Sequence, residues 1–433
     1  MKYYSTNHTA PEVALGEAVV RGLAPDKGLY MPERIEKLPR SFYDGIASMS
    51  FHEIACRVAE AFFGDDIEHE TLRKIVCDTL SFETPVVRVE PGIYSLELFH
   101  GPTLAFKDVG ARFMARMLSH FIGRDNGRVT VLVATSGDTG SAVANGFLGV
   151  EGIDVVVLYP KGKVSEIQEK QFTTLGRNIT ALEIDGTFDD CQRLVKSAFL
   201  DRELNERFRL TSANSINVAR FLPQAFYYFN VYAQMRRAGE NGEIVVSVPS
   251  GNFGNITAGL FAKRMGLPVK RFIAANNSND IFLQYLITGV YTPRPSVATL
   301  ANAMDVGDPS NFVRVLDLYG QSIDAIRADI SGARYSDDRI RSILADTLKR
   351  TGYLLDPHGA CGYQALKEGL QAGETGVFLE TAHPAKFKDT VEPIIGQPVA
   401  VPQRLAEFMK GQKLSVGLPS DFDTFKRFLS DRQ

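Results

Sequence analysis

The chain has 433 residues, with 48 Lys and Arg against 51 Asp and Glu and a formal net charge of -3. Its length exceeds what one small core organises and suits two or more packed units. The balanced charge, with no basic tail or stripe, argues against nucleic acid as the main partner, although a local cluster of donors can still take a small anion.

Cys56, Cys77, Cys191 and Cys361 are widely spaced and form no paired framework, which points to a reducing compartment. The seven histidines have no partner at ligand spacing, so no metal site is expected. The residues after Met1 lack an apolar signal core, and no long uncharged apolar run occurs; a cytoplasmic protein with no membrane span is expected. The sequons at Asn7, Asn178 and Asn255 then read as chance matches.

In chain order, residues 1–92 read as a mainly helical segment, with apolar helical spacing over Phe51–Phe63 and Glu70–Leu80. Residues 93–237 read as a smaller α/β lobe. It opens with the strand Ile93–Phe99, then an amphipathic helix after Lys107. Next come a strand over Val129–Ala134 with a helix from Ser141, a strand over Asp154–Tyr159 with a helix from Ser165, and a strand over Ile179–Ile184 with a helix from Asp189. A long helix entered at Asn214 closes it near Arg237. Residues 238–400 read as a larger α/β lobe with strands over Glu243–Val248, Val269–Ala274 and Val377–Thr381 and a loop-rich insertion at about 279–338. Residues 401–433 read as a helical tail. Continuous apolar strands alternating with helices predict parallel sheets covered on both faces, with ligands bound where strands end and helices begin.

The chemistry gathers at those strand ends. Lys107, between Phe106 and the start of a helix, is placed to lose solvation and lower its pKa, as an imine-forming lysine must. Gly251-Asn252-Phe253-Gly254-Asn255 offers successive backbone N–H groups at a helix start, a phosphate cradle without the Rossmann or P-loop signature. Ser136-Gly137-Asp138-Thr139-Gly140-Ser141 adds hydroxyls and one carboxylate in the same kind of position. Ser215, Asn217 and Arg220 can converge on an anion, and Thr381 can hydrogen-bond a ligand, whereas His383 reads as structural. Taken singly, each motif also fits a connecting turn or a helix cap. Taken together they supply what pyridoxal phosphate requires: an imine-forming lysine, a phosphate nest and a group at the pyridine nitrogen.

These residues resemble the threonine synthases, fold-type II pyridoxal-phosphate enzymes, in their longer bacterial and fungal form. The resemblance spans nearly the whole chain. It rests on His100-Gly101-Pro102-Thr103 with Ala105-Phe106-Lys107-Asp108, Ser136 to Gly140, Pro249 to Asn255, and Ala303-Met304-Asp305-Val306-Gly307. It implies the tryptophan synthase β-subunit-like fold. It also implies Lys107 as the cofactor lysine, Gly251, Asn252, Phe253, Gly254 and Asn255 as the phosphate cradle, and Thr381 as the hydroxyl facing the pyridine nitrogen. Asp138 stands where many relatives place Asn near the phenolic oxygen, which leaves its charge open. Thr139, Ser215, Asn217, Arg220 and Asn252 match groups that bind the phosphate of O-phospho-L-homoserine. The implied reaction converts that substrate and water to L-threonine and phosphate in a monomer or homodimer. The alternatives at this level are a serine/threonine dehydratase and a catalytically silent homologue that binds a phosphorylated metabolite or a partner protein.

Overall fold

The computed structural model describes residues 1–123 and 127–431. Two parallel sheets dominate. The larger has six strands in the order Ile330–Arg334, Val269–Asn276, Glu243–Pro249, Glu374–Glu380, Ile93–Glu97 and Val86–Glu90, with only the last edge antiparallel. The smaller has five parallel strands, ordered Val416–Pro419, Ile179–Asp185, Ile153–Pro160, Val129–Ala134 and Leu210–Ser212.

Their apolar runs follow from burial on two sides. Val131, Val133, Val155 and Val157 join one core cluster, while the alternate residues Leu132, Ala134, Val156 and Leu158 join another. In the larger sheet Ile244, Val246 and Val248 face the first cluster, and Val245 faces a third. A period of two with both phases apolar is what helices on both faces demand. β-branched side chains suit that pleated surface.

Several expectations need correction. The strand Ile93–Glu97 pairs with Glu374–Glu380 and so belongs to the larger sheet, not to the smaller lobe that 93–237 was read to begin. The helix read from Asn214 to Arg237 is broken into Val218–Phe221, the 3₁₀ turn Leu222–Gln224 and Ala225–Arg237. Pro223, which lacks an N–H, sits at the break. Residues 1–92 open with a small antiparallel sheet of Lys2–Ser5, Val13–Ala14 and Tyr30–Pro32, with the helix Leu15–Arg21 between the last two strands. The insertion ends in the strand Ile330–Arg334, and the tail carries the strand Val416–Pro419, which adds an edge to the smaller sheet.

Candidate functional site

Lys107 is the first residue of the helix Lys107–Gly123 and is held by its neighbours. Asp108 accepts from the Thr103 N–H at 2.9 Å and from the Thr103 hydroxyl at 2.6 Å, folding the loop back on the helix start. Gly101 permits this, because a Cβ there would lie 2.4 Å from Asp108 Oδ2. The Phe106 N–H donates to the Thr381 carbonyl at 2.8 Å, and the Tyr227 hydroxyl donates to the Phe106 carbonyl at 2.5 Å. Both backbone groups of the residue before Lys107 are therefore fixed, and one of them fixes it to Thr381.

Lys107 is half-buried at its surface, but its amine is deep enough that desolvation pulls its pKa down to about 8. Asp138 opposes that shift, while Arg220 and Lys386 reinforce it. Asp138 is buried at the start of the helix Asp138–Phe147. Burial alone would raise its pKa, yet the Lys386 ammonium at 2.6 Å, Lys107 and the Gln168 amide at 2.8 Å hold it at about 2. The Lys386 ion pair and the Gln168 amide thus favour the carboxylate form of Asp138, whose charge the sequence left open. Gly137 gives the loop its shape, with φ of 143° and no room for a Cβ beside the Gln168 amide at 2.6 Å.

Lys386 escaped the sequence reading. Its side chain is fully buried in the turn Pro384–Phe387, where it donates to the Thr103 carbonyl at 2.8 Å and pairs with Asp138. The available signal was a lysine flanked by Ala385 and Phe387 just beyond a strand's carboxyl end, the same placement as Lys107. His383 caps that turn, its Nδ1 accepting from Ala385 N–H at 3.1 Å, and burial lowers its pKa to about 4. Its role is structural, as read.

The loop after Glu243–Pro249 leads into the helix Gly254–Arg264, whose N-terminus no side chain caps and whose first turn holds no acid. Phe253 takes the left-handed conformation, φ 62°, to turn the backbone into the helix. Gly251 lies under the 301–305 segment, where a Cβ would sit 2.7 Å from Met304 Cα and 3.0 Å from the Ala303 carbonyl. Asn255 accepts from Tyr228, and its buried Nδ2 has no partner among the described residues. Uncapped N–H groups, a lining glycine and an orphaned buried donor fit a bound phosphate group. Gly251→Ala is expected to lose about 1–3 kcal/mol of stability from overpacking and to release cofactor, seen by thermal unfolding and by cofactor absorbance after gel filtration.

A second set of donors adjoins the cradle. The Asn252 Nδ2 donates to Ser215 Oγ at 2.9 Å, joining the cradle to the 213–217 loop. Arg220 is buried beside Gly110 of the lysine helix, and its Nε and Nη1 have no partner among the described residues. Burial lowers its pKa to about 10, opposed by Asp108 and Tyr227. A cation with unspent donors in that position calls for an anion. Thr139 stands half-buried in the first turn after Asp138. Asn217 does not join them: its Oδ1 caps Ala219 N–H at 3.0 Å and its Nδ2 donates to the Val19 carbonyl at 2.9 Å. Its groups are spent on the fold, so its reading as an anion ligand is withdrawn.

Comparison with known proteins places the whole chain in a family. Residues 2–80 match the family described as "Threonine synthase N terminus", residues 79–381 "Pyridoxal-phosphate dependent enzyme", and residues 359–429 "Threonine synthase, C-terminal". Threonine synthase of Escherichia coli (strain K12) is 46% identical over 433 residues, covering 100% of both chains. The crystal structure of threonine synthase from Escherichia coli superposes with a TM-score of 0.93 at 45% identity over 100% of both chains. The X-ray structure of PLP-bound threonine synthase from Brucella melitensis superposes with a TM-score of 0.94 at 35% identity, covering 99% of this chain and 98% of that one. The chain belongs to the threonine synthases, the fold-type II enzymes that work with pyridoxal phosphate.

Proposed function

We propose that the chain converts O-phospho-L-homoserine and water to L-threonine and phosphate, in the cytoplasm. The observation that carries the substrate reading is Arg220, a buried guanidinium outside the Gly251–Asn255 loop whose Nε and Nη1 have no partner among the described residues and whose charge acts on Lys107. An unphosphorylated hydroxy amino acid brings only its α-carboxylate, so an enzyme acting on one has no use for a second phosphate site. The compartment reading is supported by the four free cysteines, which suit a reducing environment.

The chemistry supplied by bound pyridoxal phosphate is an electron sink for charge developing at the substrate's Cα. The residues that would hold it are Lys107 through its amine, the loop Gly251–Asn255 at its phosphate, and Thr381 and Asp138 beside its ring. Thr381 carries a neutral hydroxyl and so would not enforce a protonated ring nitrogen. Lys107, with a pKa drawn down to about 8, can take a proton from Cα near neutral pH and return one late in the cycle. Arg220, Ser215, Asn252 and Thr139 hold the phosphate that leaves from Cγ, stabilising charge where it accumulates.

Arg220→Met is the direct test. The expected result is a rise of about 100-fold or more in KM for O-phosphohomoserine, from loss of a charged contact to a buried anion, with the cofactor's absorbance retained. Phosphate release and threonine formation by the parent enzyme, with no keto acid from threonine, complete it. Keto acid as the main product would support a dehydratase instead.

A further inference from the structure

We propose that Arg314 is a positioning residue for the substrate-phosphate site, acting by locking Ser215 and Asn311 around Asn252 and so forcing the Ser215 hydroxyl to donate outward. The inference rests on the reading of Ser215 as a phosphate ligand.

Arg314 lies in the helix Phe312–Leu318 with its side chain fully buried. No carboxylate pairs with it among the described residues, and burial alone draws its pKa down to about 9. All five of its N–H donors are spent on oxygens. Nη1 donates to Ser215 O at 3.0 Å and to Asn311 Oδ1 at 2.6 Å. Nη2 donates to Ile216 O at 2.6 Å and to Tyr30 O at 3.1 Å, and Nε also reaches Tyr30 O, at 3.4 Å. The guanidinium further stacks on the Phe221 ring, 4.0 Å from its centroid. Three segments distant in sequence are thus gathered on one planar fork, a task that three-donor lysine cannot perform.

The consequence appears at Ser215. With Asn311 Oδ1 held by Arg314, the amide Nδ2 must face the other way, and it donates to Ser215 Oγ at 3.0 Å and to Asn252 O at 3.0 Å. Asn252 Oδ1 accepts from Ser310 N–H at 2.6 Å, which turns its Nδ2 to the same hydroxyl. Ser215 Oγ therefore accepts twice. Both lone pairs are filled, and its proton is left to donate. A hydroxyl fixed as a donor is suited to a phosphate oxygen and unsuited to a cation or a donor ligand.

The test uses holoenzyme with inorganic phosphate as probe, read by phosphate-dependent thermal shift and by competitive inhibition. Arg314→Lys and Ser215→Ala are each expected to weaken phosphate by about 10-fold, and the double variant by little more than either alone, because both act through one hydroxyl. The cofactor absorbance of Arg314→Lys stays unchanged. Additive losses, or a loss of cofactor absorbance in parallel with the loss of phosphate, overturn the positioning role. Unchanged phosphate binding in Arg314→Lys alongside weakened binding in Ser215→Ala overturns it while leaving the Ser215 reading intact. If both variants bind phosphate as the parent does, that reading falls too. Should Arg314→Lys fail to fold, Asn311→Ala removes the intermediate amide: weaker phosphate binding supports the proposal and parental binding overturns it.

Discussion

Lys107→Ala is expected to lose turnover by about 10⁴-fold or more, together with the visible absorption of a lysine-bound cofactor. The reason is in the local geometry. The Phe106–Thr381 and Tyr227–Phe106 hydrogen bonds fix the backbone that presents the amine. Lys386, the other lysine at the site, is spent on Asp138 and the Thr103 carbonyl and stays buried behind them. A variant that kept both turnover and absorbance would show that another group carries the cofactor.

Lys386→Met is expected to cost about 3–5 kcal/mol of stability, because it strands the Asp138 carboxylate in a buried site. The pH dependence follows from the sign of the shift. Asp138 has its pKa lowered from 3.8 to about 2 in the folded protein, so its contribution is fully present above pH 3.8 and is lost as pH falls towards 2. Without Lys386 the folded-state pKa rises, and acid unfolding by this group begins at higher pH. Lys107 responds as well. Lys386 is one of the cations that lower its pKa, so the variant's capture of cofactor should shift to more alkaline pH. Urea titrations across pH and the pH profile of cofactor uptake check both effects. Parental stability at pH 7 would mean that Asp138 finds other compensation.

The residues legible in the sequence share a cause. Asp138, the Gly251–Asn255 loop and Thr381 closely follow apolar strands, and Lys107 lies beyond the loop after Ile93–Glu97, at a helix start; parallel-sheet topology brings strand ends together whatever the exact strand order. Lys386 and Arg314 were not legible because their roles arise from distant partners. In Phe312-Val313-Arg314-Val315-Leu316 an arginine between apolar residues reads as the polar face of a helix, and only the packed structure reveals the carbonyls of Tyr30, Ser215 and Ile216 around it. Asn217 failed in the opposite sense. A carboxamide before a helix suits an anion site or a cap equally well, and the Val19 carbonyl decided for the fold. The lobe boundary at 93 was misplaced because Ile93–Glu97 has the pattern of any buried strand, and nothing local says which sheet will take it.

The position of Glu374–Glu380 between Glu243–Pro249 and Ile93–Glu97 has a consequence for biosynthesis. The strand that joins the two halves of the larger sheet leaves the ribosome long after its neighbours, with a delay on the order of tens of seconds at ~5–20 residues per second. During that interval both flanking strands present unpaired edges, and Lys107 has no Thr381 carbonyl to anchor its turn. The turn that carries Lys107 therefore cannot take its final hydrogen bonds until residues 374–381 have been made. Chaperone engagement of the exposed edges before that point is the expected safeguard against aggregation.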